Sequence, residues 1–268
     1  MAGVYDSLYQ SIGSIDTTTE FVGWNELQDQ GAIASDAMRE WERTTVRRLR
    51  RLHPKNVLEI GVGTGMLLRG LIDIVDTYCA TDISEEVLTR LAHRHSDMVA
   101  AGQLRFEEGD ALETLARCDP GYDLVVLNSV VQYFPSGDYL SAVLVAAARV
   151  LSPSGRVFIG DVVIGDSIAG AHLVPDELQI EPSFFTALIE GAQPLFRGAL
   201  HEAKEIRALN TLSRYRYDVT LFAGPASPPT DNEVVRTFRQ IPDTPTSNPF
   251  AEEYQRAERD GRSSASFW

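Results

Sequence analysis

Apolar residues follow two alternating rhythms from about residue 56 to residue 163. Short runs such as Val57-Leu58-Glu59-Ile60 and Asp123-Leu124-Val125-Val126-Leu127 are apolar at consecutive positions. A strand of that kind is buried on both faces, as a parallel sheet covered by helices requires. The pattern predicts strands at 56–60, 77–82, 103–107, 122–128 and 156–163. Between them it predicts helices at about 65–74, 84–100, 111–116 and 138–150, and Ser152-Pro153-Ser154-Gly155 reads as the turn into the fifth strand. Strand and helix alternating in this way specify a doubly wound α/β sheet.

The flanks read differently. Residues 1–35 are polar and glycine-punctuated, with Tyr5, Tyr9, Phe21 and Trp24 as aromatics. A helix follows, with Ser35 as N-cap, Met38, Trp41, Val46 and Leu49 near helical spacing, and Pro54 closing it. Its arginines Arg47, Arg48, Arg50 and Arg51 read as a solvated face. Beyond Asp161 the rhythm loosens. Residues 164–182 are expected to cap the site, and a helix is expected near 183–192. Strands near 199–206 and 213–222 fit an antiparallel hairpin, giving a seven-stranded, mostly parallel sheet with an antiparallel edge. Six of the chain's 13 prolines follow Gly224, so an extended or partly disordered tail is expected there. Within that tail Phe250 to Arg259 suits one short amphipathic helix, and Phe267-Trp268 suits docking on a partner. The chain therefore divides into a helical, substrate-side segment at 1–52, a core domain at 53–222 and a proline-rich tail at 223–268.

Composition narrows the function classes. The 268 residues are 44% hydrophobic and 23% charged, ordinary for a globular protein. A formal net charge of −14 disfavours a nucleic-acid partner, because phosphate binding is driven by Lys and Arg. Two cysteines, Cys79 and Cys118, make neither a disulfide framework nor a metal site unaided, and no metal is expected. No apolar run approaches membrane-spanning length and the N-terminus lacks a secretory pattern, so a cytoplasmic protein is expected.

Candidate chemistry begins where the first strand ends. Glu59-Ile60-Gly61-Val62-Gly63-Thr64-Gly65 runs from an apolar strand into three glycines at alternate positions. A dinucleotide fingerprint places its third glycine one position later, where Met66 stands. With acidic Asp82 about 20 residues beyond the first glycine, the stretch resembles motif I of the class I, Rossmann-like S-adenosyl-L-methionine (AdoMet) methyltransferases. That resemblance implies AdoMet as cofactor. Gly61, Gly63 and Gly65 would turn beneath its methionine moiety, and Glu59 would orient the turn or meet the ammonium. Asp82 would accept from the ribose hydroxyls while Ile83 packs on adenine. Asp110 and Ala111, after the third strand, would meet the adenine edge. Each has a plainer alternative: a structural turn, a strand-end carboxylate, or a helix cap.

The fourth strand leads to a narrower resemblance. Leu127-Asn128-Ser129-Val130-Val131-Gln132-Tyr133-Phe134-Pro135 is similar to the motif IV region of methyltransferase domains embedded in nonribosomal peptide synthetases. Gly23-Trp24-Asn25, Met38-Arg39-Glu40-Trp41, Gly155 to Val162 and Leu212 to Val219 agree with it. Those domains N-methylate amino acids held on carrier proteins. The resemblance implies methyl transfer to an amino group of an amino acid, peptide or carrier-bound aminoacyl intermediate, with a carrier protein as a candidate partner. Glu26-Leu27-Gln28-Asp29-Gln30 departs from the family's pattern, which leaves a free or differently tethered acceptor open.

Methyl transfer from a sulfonium needs positioning and a free lone pair more than covalent help. Asn128 is the candidate to hold an amine N–H and also to touch the cofactor. Tyr133 is a donor or cleft wall; Asp161 and His172 are the candidate bases. Trp24, Asn25, Gln132 and Tyr133 are expected to line the substrate side, Trp24 through cation–π attraction. O- or C-methylation of a small metabolite, and a catalytically silent AdoMet-binding partner of a synthetase, remain the alternatives.

Overall fold

The structure is a computed structural model, and it describes residues 24, 31–164, 177–190, 195–208 and 210–224. Helix α1 (Ser35–Arg51) precedes an alternation of β1 (Asn56–Ile60), α2 (Met66–Leu71), β2 (Thr77–Asp82), α3 (Glu85–Arg94), α4 (Ser96–Ala100), β3 (Leu104–Glu108) and α5 (Ala111–Arg117). There follow β4 (Tyr122–Asn128), a single 3₁₀ turn (Val131–Tyr133), α6 (Gly137–Val150) and β5 (Leu151–Val163). Helix α7 (Pro182–Glu190), β6 (Phe196–Ala203), α8 (Thr211–Tyr215) and β7 (Arg216–Ala223) complete the described chain.

The seven strands form one sheet in the order β3-β2-β1-β4-β5-β7-β6. The first five run parallel, and β7 is inserted antiparallel between β5 and β6. Consecutive apolar residues of β1 serve opposite faces. Leu58 and Ile60 join the layer under α6 and α7, while Val57 joins the layer under α2 and α3. The strand order reverses between β1 and β4, the topological switch point at which an open α/β sheet places its ligand crevice outside the carboxyl ends of the strands. A third apolar cluster, including Met38, Trp41, Ile206 and Leu212, ties α1 to the β6–β7 edge.

Four boundaries differ from the sequence reading, each for a local reason. The N-cap of α1 is Ala34, with no side-chain cap, and Ser35 is already helical. The helix expected over 84–100 stops at Arg94, and the chain restarts as α4 after His95. Strand β5 begins at Leu151, so the expected turn at 152–155 is an irregularity within the strand pairing between Tyr122↔Leu151 and Leu124↔Arg156. Residues 211–215, partly read as strand, are helical because Asn210 and Ser213 form a reciprocal capping box. The expected cap around 165–176, the aromatics at Tyr5, Tyr9 and Phe21, and the tail features at Phe250–Arg259 and Phe267-Trp268 lie outside the described residues.

Candidate functional site

The glycine turn after β1 forms one wall of the crevice. Gly61, Gly63 and Gly65 all have positive φ, at 78°, 50° and 80°. A Cβ on Gly61 would sit 2.4 Å from Val130 Cγ2, and one on Gly65 would sit 2.8 Å from Leu91 Cδ2. Backbone conformation and space thus both require glycine here. Asp82, at the end of β2, braces the turn. Its Oδ2 accepts from the Gly63 amide at 2.9 Å and its Oδ1 from the Ser84 amide at 3.1 Å. Ser84, not Asp82, caps α3 by accepting from the Val87 amide. Ile83 beside it is half-buried.

Glu59 lies beneath the turn, 2% exposed, and accepts from Tyr78 Oη at 2.7 Å. Burial pushes its carboxyl up to about 8; the Tyr78 hydrogen bond opposes this and the nearby Asp82 charge adds to it. Glu59 is therefore mostly protonated at neutral pH. Asp110 is exposed and caps α5, accepting from the Glu113 amide at 2.9 Å while Glu113 Oε2 accepts from the Asp110 amide at 3.3 Å. Ala111, the first residue of α5, is buried. In this state Asp110 acts as a helix cap.

The opposite wall is built from the ends of β4 and β5 and from the strand inserted beside them. Asn128 and Gly160 are paired across β4 and β5. Asn128 Oδ1 fills the space that a side chain at Gly160 would occupy, 1.9 Å from where its Cβ would be. Asn128 Nδ2 donates to Ser129 Oγ at 3.0 Å, and Ser129 Oγ donates to Asp161 Oδ2 at 2.6 Å. Asn128 Oδ1 itself is buried and accepts no hydrogen bond among the described residues. Both Ser129 and Asp161 are left-handed, at φ 57° and 61°. Each such non-glycine residue costs about 1–3 kcal/mol and persists where its surroundings over-determine it.

Asp161 does not open onto the crevice as a free base. Its side chain is 0% exposed and accepts from Trp41 Nε1 at 3.1 Å, from Ser129, and from Lys204 Nζ at 2.5 Å. Burial alone would raise its carboxyl; the Lys204 ammonium and the hydrogen bonds from Lys204 and Ser129, with Arg216 nearby, outweigh it and hold the group below the usual carboxylate range. Such a carboxylate is a weak proton acceptor and a strong anchor. Lys204 also bonds Asp218 at 2.6 Å, and Asp218 accepts the Asp161 amide at 3.0 Å. Arg48 of α1 pairs with Asp218 and, at 3.2 Å, with Glu202. This corrects the reading of Arg48 as solvated: it lies seven residues beyond Trp41 and three beyond Thr45, on the buried face of α1. Lys204 and Ser129 carry no sequence signal as partners of Asp161, and for Arg48 the signal is its helical spacing from the buried Trp41 and Thr45.

The remaining candidates divide. Trp24 packs at a tilt against Trp41, with ring centroids 5.1 Å apart and planes at 48°, which brings it to the Asp161 side. Gln132 is buried with Oε1 unpaired among the described residues, while Tyr133 is exposed. Asn25 and His172 lie outside the described residues.

Residues 58–157 match the family described as methyltransferase domain. The chain is 35% identical over 243 residues to a probable non-canonical nonribosomal peptide synthetase, CymA, of Salinispora arenicola, covering 83% of this chain and 3% of that one. It is 34% identical over 239 residues to the chondramide synthase cmdD of Chondromyces crocatus, covering 78% and 6%. The chain thus spans less than a tenth of either relative's length. The crystal structure of the N-methyltransferase NodS from Bradyrhizobium japonicum, in complex with S-adenosyl-L-homocysteine, shares the fold. Its TM-score is 0.55 at 16% identity, and the match covers 82% of this chain and 97% of that one.

AdoMet is the cofactor of class I methyltransferases, and the residues present fit it. The glycine turn admits no side chain at Gly61 or Gly65, and Thr64 Oγ1 within it is buried with no partner among the described residues. Sequence match and sheet order together identify a class I, AdoMet-dependent methyltransferase domain that resembles segments of nonribosomal peptide synthetases.

Proposed function

We propose that this domain transfers a methyl group from AdoMet to the amino group of an amino acid, peptide or carrier-bound aminoacyl intermediate. The observation that carries the reading is the Asn128 carbonyl oxygen. It is a buried acceptor at the carboxyl end of β4, and the described protein supplies it no donor. Its orientation is fixed, because Ser129 spends its one proton on Asp161 and so takes the Asn128 amide as donor. A buried acceptor with no protein donor is one that a donor from outside the described protein, such as a substrate N–H, would satisfy. The resemblance to synthetase segments favours nitrogen.

When bound, AdoMet supplies an electrophilic methyl on a sulfonium. The chain's own residues have positioning to do. Asp82 keeps the glycine turn in place, Glu59 ties the strand that leads into it to Tyr78, and Asp110 and Ala111 stand at the start of α5 for the adenine edge. Asn128 accepts one N–H of the deprotonated amine, which leaves the nitrogen lone pair for in-line attack. Trp24 and Gln132 flank the acceptor, with Tyr133 at the exposed rim. Asp161 anchors this wall, and its low proton affinity assigns it no role as base.

The test is incubation with AdoMet and a panel of free amino acids, short peptides and carrier-bound aminoacyl thioesters, with products read by mass spectrometry. A gain of one methyl mass on amine acceptors is expected. Bound AdoMet with no gain on any amine, against turnover of a phenol or carbon acid, would overturn the reading.

A further inference from the structure

We propose that Ser129 is a positioning residue of this methyltransferase, holding the Asn128 carboxamide in the one orientation that leaves its oxygen free for the acceptor. The inference rests on the amine reading of Asn128 and adds the device that keeps Asn128 ready.

A carboxamide at a strand end has two orientations that differ by exchange of its oxygen and nitrogen. What chooses between them is the neighbour's hydrogen-bond polarity. Here that neighbour is a single hydroxyl with one proton. Asp161 takes the proton: the Ser129 Oγ to Oδ2 distance is 2.6 Å, short as expected for a charged acceptor. The Ser129 oxygen can then only accept, and the group facing it at 3.0 Å is Asn128 Nδ2. The polarity of the chain runs one way, from Asn128 through Ser129 to Asp161. Asp161 stays charged because Lys204 and Trp41 hold it, so the polarity does not reverse.

The backbone agrees. Ser129 is left-handed at φ 57°, a conformation that disfavours a residue with a Cβ, and its amide donates to Gly160 O at 3.0 Å. Glycine would suit this backbone better. The hydroxyl is what glycine lacks, and the hydroxyl is the link between Asn128 and Asp161.

That contrast supplies the variant. Ser129→Gly removes the hydroxyl at a position whose backbone glycine favours, so the fold is retained. Three measurements are made on the protein as it is. Selective Asn labelling follows the Asn128 side-chain amide by NMR without acceptor. In the native protein one set of amide signals with slowed exchange is expected; in Ser129→Gly, broadened or doubled signals. AdoMet affinity by calorimetry is expected to stay within about twofold. In the methylation assay kcat is expected to fall at least about tenfold with little change in KM, and Asn128→Ala added to Ser129→Gly should cost less than it does alone, because residues acting as a unit are non-additive. An unchanged Asn128 signal in Ser129→Gly, or kcat effects that multiply independently, would overturn the proposal. The NMR result needs no acceptor, so an ordered Asn128 amide with no amine turnover would count against the amine reading and leave the positioning role standing.

Discussion

The two walls of the crevice are built on opposite plans. The cofactor wall is local: one strand, a glycine turn and the aspartate at the end of the next strand, with Asp82 and the Gly63 amide only 19 residues apart. The acceptor wall is assembled from afar. Trp41 meets Asp161 across 120 residues, and Arg48 meets Asp218 across 170. Antiparallel insertion of β7 between β5 and β6 makes this convergence, because it sets Asp218 beside Asp161 and Lys204. A local wall preserves a shape for a constant cofactor. A wall stitched by charges from α1, β5, β6 and β7 depends on every part being in place.

The largest effect should come from breaking that stitching. Asp161→Ala leaves the Trp41 indole N–H without its acceptor and leaves Lys204 with Asp218 as its one carboxylate among the described residues, all in a buried site. Removing one member of a buried ion pair costs about 3–5 kcal/mol, so a urea midpoint far below that of the native protein is expected. The matching change on the other wall, Asp82→Ala, strands two amides and should cost about 1–3 kcal/mol, while AdoMet affinity by calorimetry falls further than stability does. Equal stability losses would erase the contrast between the walls.

Next in size is Gly61→Ala. The added methyl meets Val130 and the left-handed backbone resists it. A backbone penalty of about 1–2 kcal/mol corresponds to roughly tenfold in an equilibrium constant, so AdoMet binding should weaken by at least that factor.

Glu59 gives the cofactor wall a pH signature. Its folded value is raised from 4.5 to about 8, so the folded state holds more protons than the unfolded state between those limits. Its contribution to stability is full below about pH 4.5 and is lost as the pH rises through the folded value. Glu59→Gln should flatten the fall in stability between pH 5 and 8, measured by denaturant titration at several pH values. An unaltered slope would contradict the assignment.

The smallest effect is expected on the outer face of α1. Arg43 is exposed, whereas Arg48 is buried among Glu202, Glu205 and Asp218. Arg43→Ala should change stability by about 0.5 kcal/mol or less, and Arg48→Ala by several times that.

These contrasts also explain what was legible in the sequence. The strand–turn–helix of the cofactor wall is contiguous, so the glycine spacing and Asp82 carry their meaning in one window. The alternation of strand and helix and the antiparallel edge hairpin followed from the same apolar rhythm, whereas the insertion of β7 between β5 and β6 did not. Asp161 was visible as a strand-end carboxylate, but its partners were not, since nothing near position 161 announces Lys204, Trp41 or Arg48. A carboxylate alone reads as a base; with a lysine, an indole N–H and a serine on it, the same group is an anchor. The missed break at Asn210–Ser213 has a similar origin, because a capping box inside a β-rich stretch is outweighed by its apolar neighbours in any sequence window.

The most direct test of the account is the position of the transferred methyl. The protein would be given AdoMet carrying a trideuterated methyl together with an aminoacyl acceptor that also bears a free hydroxyl, and the product fragmented by tandem mass spectrometry. The account predicts the label on nitrogen, with Asn128→Ala abolishing most of the signal. Label on oxygen or carbon, or full labelling without the Asn128 carboxamide, would contradict it.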